Sequence, residues 1–113
     1  MATRATIAVK GVDYVKIYKH FDGYPEGMIE WLTDFNDRFN KERGDDPQYK
    51  FAQLLRFSSK YSKKYNLDES EYTGYGVVPI DADCGEQYEY KLYNDGVIVL
   101  DLYNKESKYY KHK

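Results

Sequence analysis

With 113 residues, 42% hydrophobic and 32% charged, the chain has enough apolar material for one core and too little for two. A net charge of −2 and an isoelectric point near 5.7 argue against a surface that is basic overall and built for nucleic acid. The solitary Cys84 excludes an intramolecular disulfide and a cysteine-rich metal site, and no apolar run is long enough to cross a bilayer. The opening Met1–Thr6 lacks the apolar core of a signal peptide, so the expected setting is the reducing cytoplasm.

Thr3 to Val9 alternates, with Thr3, Ala5, Ile7 and Val9 opposed to Arg4, Thr6 and Ala8, which predicts a strand stopped at Lys10-Gly11. Tyr14 to Phe21 alternates as well, Val15, Ile17 and Phe21 against Tyr14, Lys16, Tyr18 and His20, so the short link between the two predicts a hairpin. Asp22-Gly23 ends the second strand. Because Tyr24 precedes a proline and is pushed towards extended backbone, Gly23 is the residue expected to hold a positive φ at this corner.

Pro25 suits the first position of a helix and Glu26 its positive end. The helix is expected to run to about Glu42, with Met28, Leu32, Phe35 and Phe39 as one stripe flanked by Ile29 and Trp31, and with Glu30, Asp34, Asp37 and Lys41 facing away. Gly44 reads as its stop, and Asp45-Asp46-Pro47 as the acidic start of a second helix reaching about Tyr65. That helix sets Phe51, Leu54, Leu55, Ser58, Tyr61 and Tyr65 on one face, with Leu55 expected to be fully buried. Arg56, Lys60, Lys63 and Lys64 fall on the opposite face.

The last third is strand-rich. Tyr75 to Ile80 is a short run with Pro79 near its end, an edge strand or a bend. Tyr88 to Tyr93 and Val97 to Tyr103 flank Asn94-Asp95-Gly96, the clearest hairpin signal in the chain. Residues 105–113 read as a polar, disordered tail after a single domain over 1–104. The order ββααβββ predicts an α+β domain, a mainly antiparallel sheet with two helices packed on one face.

Charge is segregated. Residues 22–46 carry eight acidic and three basic side chains, residues 47–65 five basic and no acidic ones, and residues 66–106 ten acidic and two basic. The second helix is thus a basic stripe in an acidic chain, which makes Arg56, Lys60, Lys63 and Lys64 candidates for phosphate contacts. A surface helix shows such a charged outer face without any nucleic acid, and that reading is preferred. Tyrosine is the outlier: 14 residues, against five Phe and one Trp. Tyrosine suits half-exposed strand faces and interfaces, because its ring is apolar and its hydroxyl needs a partner or water.

The stretch richest in functional groups is His20-Phe21-Asp22-Gly23-Tyr24-Pro25-Glu26-Gly27. If the strand continues through them, His20 and Asp22 share a face, and the carboxylate can orient the imidazole. A general base also needs a nucleophile and an oxyanion partner, and neither Thr6 nor Ser58 is singled out by its spacing. The only other histidine is His112, so no metal or cofactor is expected, and a cap-and-turn role for Asp22 with a structural hydrogen bond for His20 is preferred.

Ala2-Thr3-Arg4-Ala5-Thr6-Ile7 followed by Tyr18-Lys19-His20-Phe21-Asp22-Gly23-Tyr24-Pro25-Glu26 resembles the opening of a group of small proteins encoded by bacteriophages and prophages. They share an Ala-Thr-Arg-x-Thr-Ile segment and a Tyr-x-His-(Phe/Trp)-Asp-Gly-Tyr-Pro-Glu corner. The resemblance covers about the first quarter of the chain and carries over no catalytic residue. It implies a small accessory protein of a phage or mobile element and no particular activity; such proteins often act stoichiometrically on host machinery, immune systems such as CRISPR effectors included. The expected function is therefore non-enzymatic binding to a host protein, with no membrane association. His20, Asp22, Gly23, Tyr24 and Glu26 are the candidate binding residues, and nucleic-acid or nucleotide binding by the second helix is the alternative.

Overall fold

A computed structural model of the chain describes residues 3–20, 23–64 and 75–112, with 59–64 described by backbone alone. Alternating segments form β1 (Ala5–Val9), β2 (Val15–Lys19), β3 (Tyr75–Pro79), β4 (Tyr88–Leu92), β5 (Gly96–Asp101) and β6 (Glu106–Lys111). The two amphipathic segments form α1 (Pro25–Arg43) and α2 (Pro47–Lys64). One sheet takes the order β3-β2-β1-β4-β5-β6. Neighbours are antiparallel except β1 and β4, which run parallel at its centre. The fold is a single α+β domain with a mixed sheet.

One face of the sheet presents Ala5, Ile7, Val9, Ile17, Tyr90, Leu92, Val97 and Val99 to the helices, all buried. Met28, Trp31, Leu32, Phe35 and Phe39 of α1 and Leu54 of α2 complete the core. Leu54 lies at the centre of the α2 contact, while Leu55, expected there, is only half-buried and packs at its margin. A helix advances 100° per residue, so a one-position error in the stripe moves a side chain from the centre to the flank.

Pro25 opens α1 behind Tyr24, whose carbonyl accepts the first helical N–H groups. Gly44, at φ 79°, ends it and donates its N–H to the Asn40 carbonyl. Asp46 starts α2 by accepting from the Tyr49 N–H at 3.4 Å.

Two expectations are corrected here. Residues 106–111 are a strand, not a disordered tail: β6 pairs with β5 from Glu106↔Asp101 to Lys111↔Gly96. An edge strand has no partner on its outer side and little core to cover, so its residues stay polar and its alternation is faint. Gly23, in turn, is not among the positive-φ residues of the described chain. Its requirement is space: a Cβ there would stand 2.6 Å from the Ala5 Cβ and 2.9 Å from the Thr3 carbonyl oxygen.

The connection from β3 to β4 explains an otherwise anomalous burial. β3 and β4 point the same way, so the chain must cross over β2 and β1, and residues 80–87 do so as an irregular strap on the face away from the helices. Beneath it Lys16, on the side of β2 opposite Val15 and Ile17, is buried and donates to the Ala82 carbonyl at 2.8 Å. Glu86 lies 4.0 Å from the Lys16 amine and accepts from the Cys84 N–H at 3.0 Å. Thr6, on the same face of β1, is buried too.

Candidate functional site

The corner after β2 is assembled by hydrogen bonds to distant strands. The Gly23 N–H donates to the Thr3 carbonyl at 2.9 Å, and the Tyr90 hydroxyl donates to the Gly23 carbonyl at 2.6 Å. Tyr90 is fully buried, and burial, followed by the nearby Tyr88, Glu26 and Tyr110, pushes its phenol far above the ordinary range. It stays a neutral donor. Next to it, Tyr24 is exposed at the helix entrance and Glu26 is exposed in the first turn.

His20 faces elsewhere. Its Nδ1 lies 2.6 Å from the Tyr18 hydroxyl, with the two rings edge to face, on the side of the sheet away from the helices. Gly23, Tyr24 and Glu26 are thus brought together at the start of α1, and His20 is turned from them. Phe21 and Asp22 lie outside the described residues, and with them the proposed His20–Asp22 pairing. The two conceivable nucleophiles are unsuited to attack: Thr6 is buried under the strap, and the buried Ser58 hydroxyl donates to the Leu55 carbonyl at 2.6 Å.

What sequence inspection missed is the neighbour of this corner. Tyr88 opens β4 opposite Asp101, and burial, followed by the charges of Asp101 and Glu26, raises its phenol above the ordinary value. Asp101 then organises the β5–β6 turn. One carboxylate oxygen accepts the Tyr103 and Asn104 N–H groups at 3.1 and 3.2 Å, and the other accepts the Asn104 amide at 2.8 Å. These bonds to the charged form, the Asn104 amide first, hold Asp101 below the usual carboxylate range. The Leu102 N–H donates to the Gln87 carbonyl at 2.8 Å, which fixes the other side of the turn. Leu102 and Tyr103 are left at 40% and 70% exposure beside Glu106. The signal was Asp101 with Asn104 three residues on, a side-chain turn that stops one strand and starts another.

Of the basic-helix candidates, Arg56 is exposed on α2, while the side chains of Lys60, Lys63 and Lys64 lie outside the described residues. Lys50, counted in the same basic stretch, turns inward and donates to Asn40 Oδ1 at 3.1 Å. Between α1 and α2 runs an open groove of about 650 Å³ lined by Trp31, Phe35, Phe39, Tyr49 and Phe57. The exposed pairs Asp34–Arg38 and Arg43–Asp46 sit near its rim. Among the described residues no group of three or more His, Cys, Asp or Glu side chains is arranged to hold a metal ion, and no helix is long and apolar enough to cross a membrane.

Fold and site together define a small α+β domain with a structured, tyrosine-bearing turn next to an exposed helix entrance. No protein-family model, curated protein or solved structure matches the chain.

Proposed function

We propose that this chain is a non-enzymatic binding protein that acts stoichiometrically on another protein. In line with the resemblance of its first quarter, we take it to be a phage or mobile-element product whose partner is a host protein, a defence complex of the CRISPR-effector type being the partner class. The observation that carries the proposal is the exposure of Tyr24, Leu102 and Tyr103 among the carboxylates Glu26, Asp101 and Glu106 at one end of the domain. Tyrosine gives large contact area for little side-chain entropy, and a turn already held by Asp101 loses little more on binding. The carboxylates favour a basic partner surface, such as a groove that otherwise takes nucleic acid.

The test is capture from bacterial host lysate by the wild-type chain and by a Tyr24→Ser/Tyr103→Ser variant, with the mass of any complex measured under native conditions. A host protein held at fixed stoichiometry by the wild type and lost from the folded variant is the expected result. No retained protein at micromolar concentration, or equal retention by both, overturns it. Oligonucleotide binding that falls steeply with salt would instead put the function on α2.

A further inference from the structure

Asn36 sits in the middle of α1 with its side chain fully buried, and it reaches the far end of the sheet. Its Nδ2 lies 2.8 Å from the Tyr93 carbonyl oxygen and 3.2 Å from that of Gly96. Carbonyl oxygens only accept, so these two contacts fix which end of the amide points there. The same nitrogen lies 2.7 Å from Nε2 of His112, the residue that follows β6. An amide nitrogen carries no lone pair to offer, so His112 Nε2 must be the acceptor and the ring proton must sit on Nδ1.

That geometry admits one protonation state. In the imidazolium, Nε2 carries a proton that points at the amide protons of Asn36, and a buried hydrogen bond becomes a contact between two donors. The charged groups around the ring do not rescue it. Asp37 and Lys41 come from α1, Lys50 from α2 and Asp95 from the β4–β5 turn, two of each sign. Burial comes first among the causes that hold the imidazole below its ordinary value. The other ties at this end are the His112 N–H, which donates to the Asp95 carbonyl at 2.8 Å, the pairing of Lys111 with Gly96, and the Tyr109 hydroxyl, which donates to the Asp95 carboxylate. Gly96 in turn is overlaid so closely that a Cβ would stand 2.6 Å from the Tyr110 carbonyl oxygen.

We infer that His112 is a proton-operated latch: neutral, it ties the end of β6 to Asn36 on α1, and protonated, it lets that end of the strand go. Release uncovers the edge of β5 at Gly96 and Val97, both buried in the closed state, and so makes an inner strand available for pairing. The inference is independent of the proposed function, since latch and tyrosine turn lie at opposite ends of the β5–β6 hairpin.

Two measurements test it. Nitrogen chemical shifts of the histidine rings at neutral pH should show His112 protonated on Nδ1 and bare on Nε2. A proton on Nε2 overturns the inference, whatever any variant does. Amide hydrogen exchange, corrected for its intrinsic pH dependence, should then show β6 protection falling as pH drops from about 7.5 to about 5, by up to about tenfold per unit once His112 titrates, with the β1–β4 ladder unchanged. A His112→Gln variant should lose that selective pH dependence. Persistence of the dependence in the variant, or equal loss of protection in β1 and β6, overturns the inference.

Discussion

The backbone of Gly23 rests against Ala5 so closely that a Cβ would stand 2.6 Å from the Ala5 Cβ, a distance real side chains do not reach. Ala5 is fully buried in β1 and cannot yield without moving the central strand of the sheet. The corner is therefore a joint that works by close approach. Gly23→Ala should cost about 1–3 kcal/mol by overpacking, read in a denaturant melt. A change near zero would mean the corner has slack. Gly23→Asn discriminates the mechanisms further: asparagine tolerates a positive φ but is bulkier, so it should be at least as destabilising as alanine.

In the core, Leu54→Ala should cost about 2–5 kcal/mol, because Leu54 is fully enclosed, and Leu55→Ala clearly less. The reverse order in paired urea melts would show that the α2 stripe is centred one residue on.

Much of the architecture was legible in the residues. The alternation of Ala5, Ile7 and Val9, the Pro25 and Gly44 boundaries of α1 and the turn at Asn94-Asp95-Gly96 each reflect a local rule with a local cause. The misreadings arose where a distant segment decided. Lys16 gives no sign of its burial because nothing near it announces that residues 80–87 will cross above it. The polar run 106–111 looks like a tail because its order comes from β5 and from the Asn36–His112 contact, 76 residues apart in the chain. At the site, Tyr24 and Glu26 were visible as part of a corner, whereas Tyr103 gained its place from the Asp101 turn and from Gln87 on the strap.

Under the strap two carboxylates, Glu86 and Glu89, share a site with one cation, Lys16. Burial raises the Glu89 carboxyl above its ordinary value, its hydrogen bond and charge contact with Glu86 add to that, and Lys16 opposes it. A raised carboxyl means the folded chain binds more protons than the unfolded one, so this group's contribution is complete below about pH 4.3 and is lost as pH rises through the folded value. Glu89→Gln keeps a donor for Glu86 and removes the titration. Melts at about pH 4 and pH 7 should show the wild type losing more stability over that interval than the variant. Parallel losses would mean that Glu89 ionises freely.

Lys50 allows the sign of a buried cation to be read directly. It is 3% exposed, its amine donates to Asn40 Oδ1 at 3.1 Å, and the Phe39 ring centroid is 6.0 Å away. Burial lowers its pKa from 10.5 to about 8, with Asp45 pulling the other way. The folded value is depressed, so the contribution is fully present above the unfolded value and is lost as pH falls through the folded one. Wild-type stability should therefore gain from this group between about pH 8 and 10.5, whereas Lys50→Met cannot. At about 1.4 kcal/mol per unit, the variant's advantage at neutral pH should shrink or reverse by about 3 kcal/mol across that interval. The methionine leaves Asn40 Oδ1 without its donor, at a cost of about 1–3 kcal/mol that does not vary with pH, so the slope rather than the absolute difference is the readout. Urea melts of both proteins at about pH 7, 9 and 10.5 measure it, and tyrosine ionisation, common to both, cancels in the difference. A difference that stays constant over the three pH values would place the Lys50 amine in contact with water.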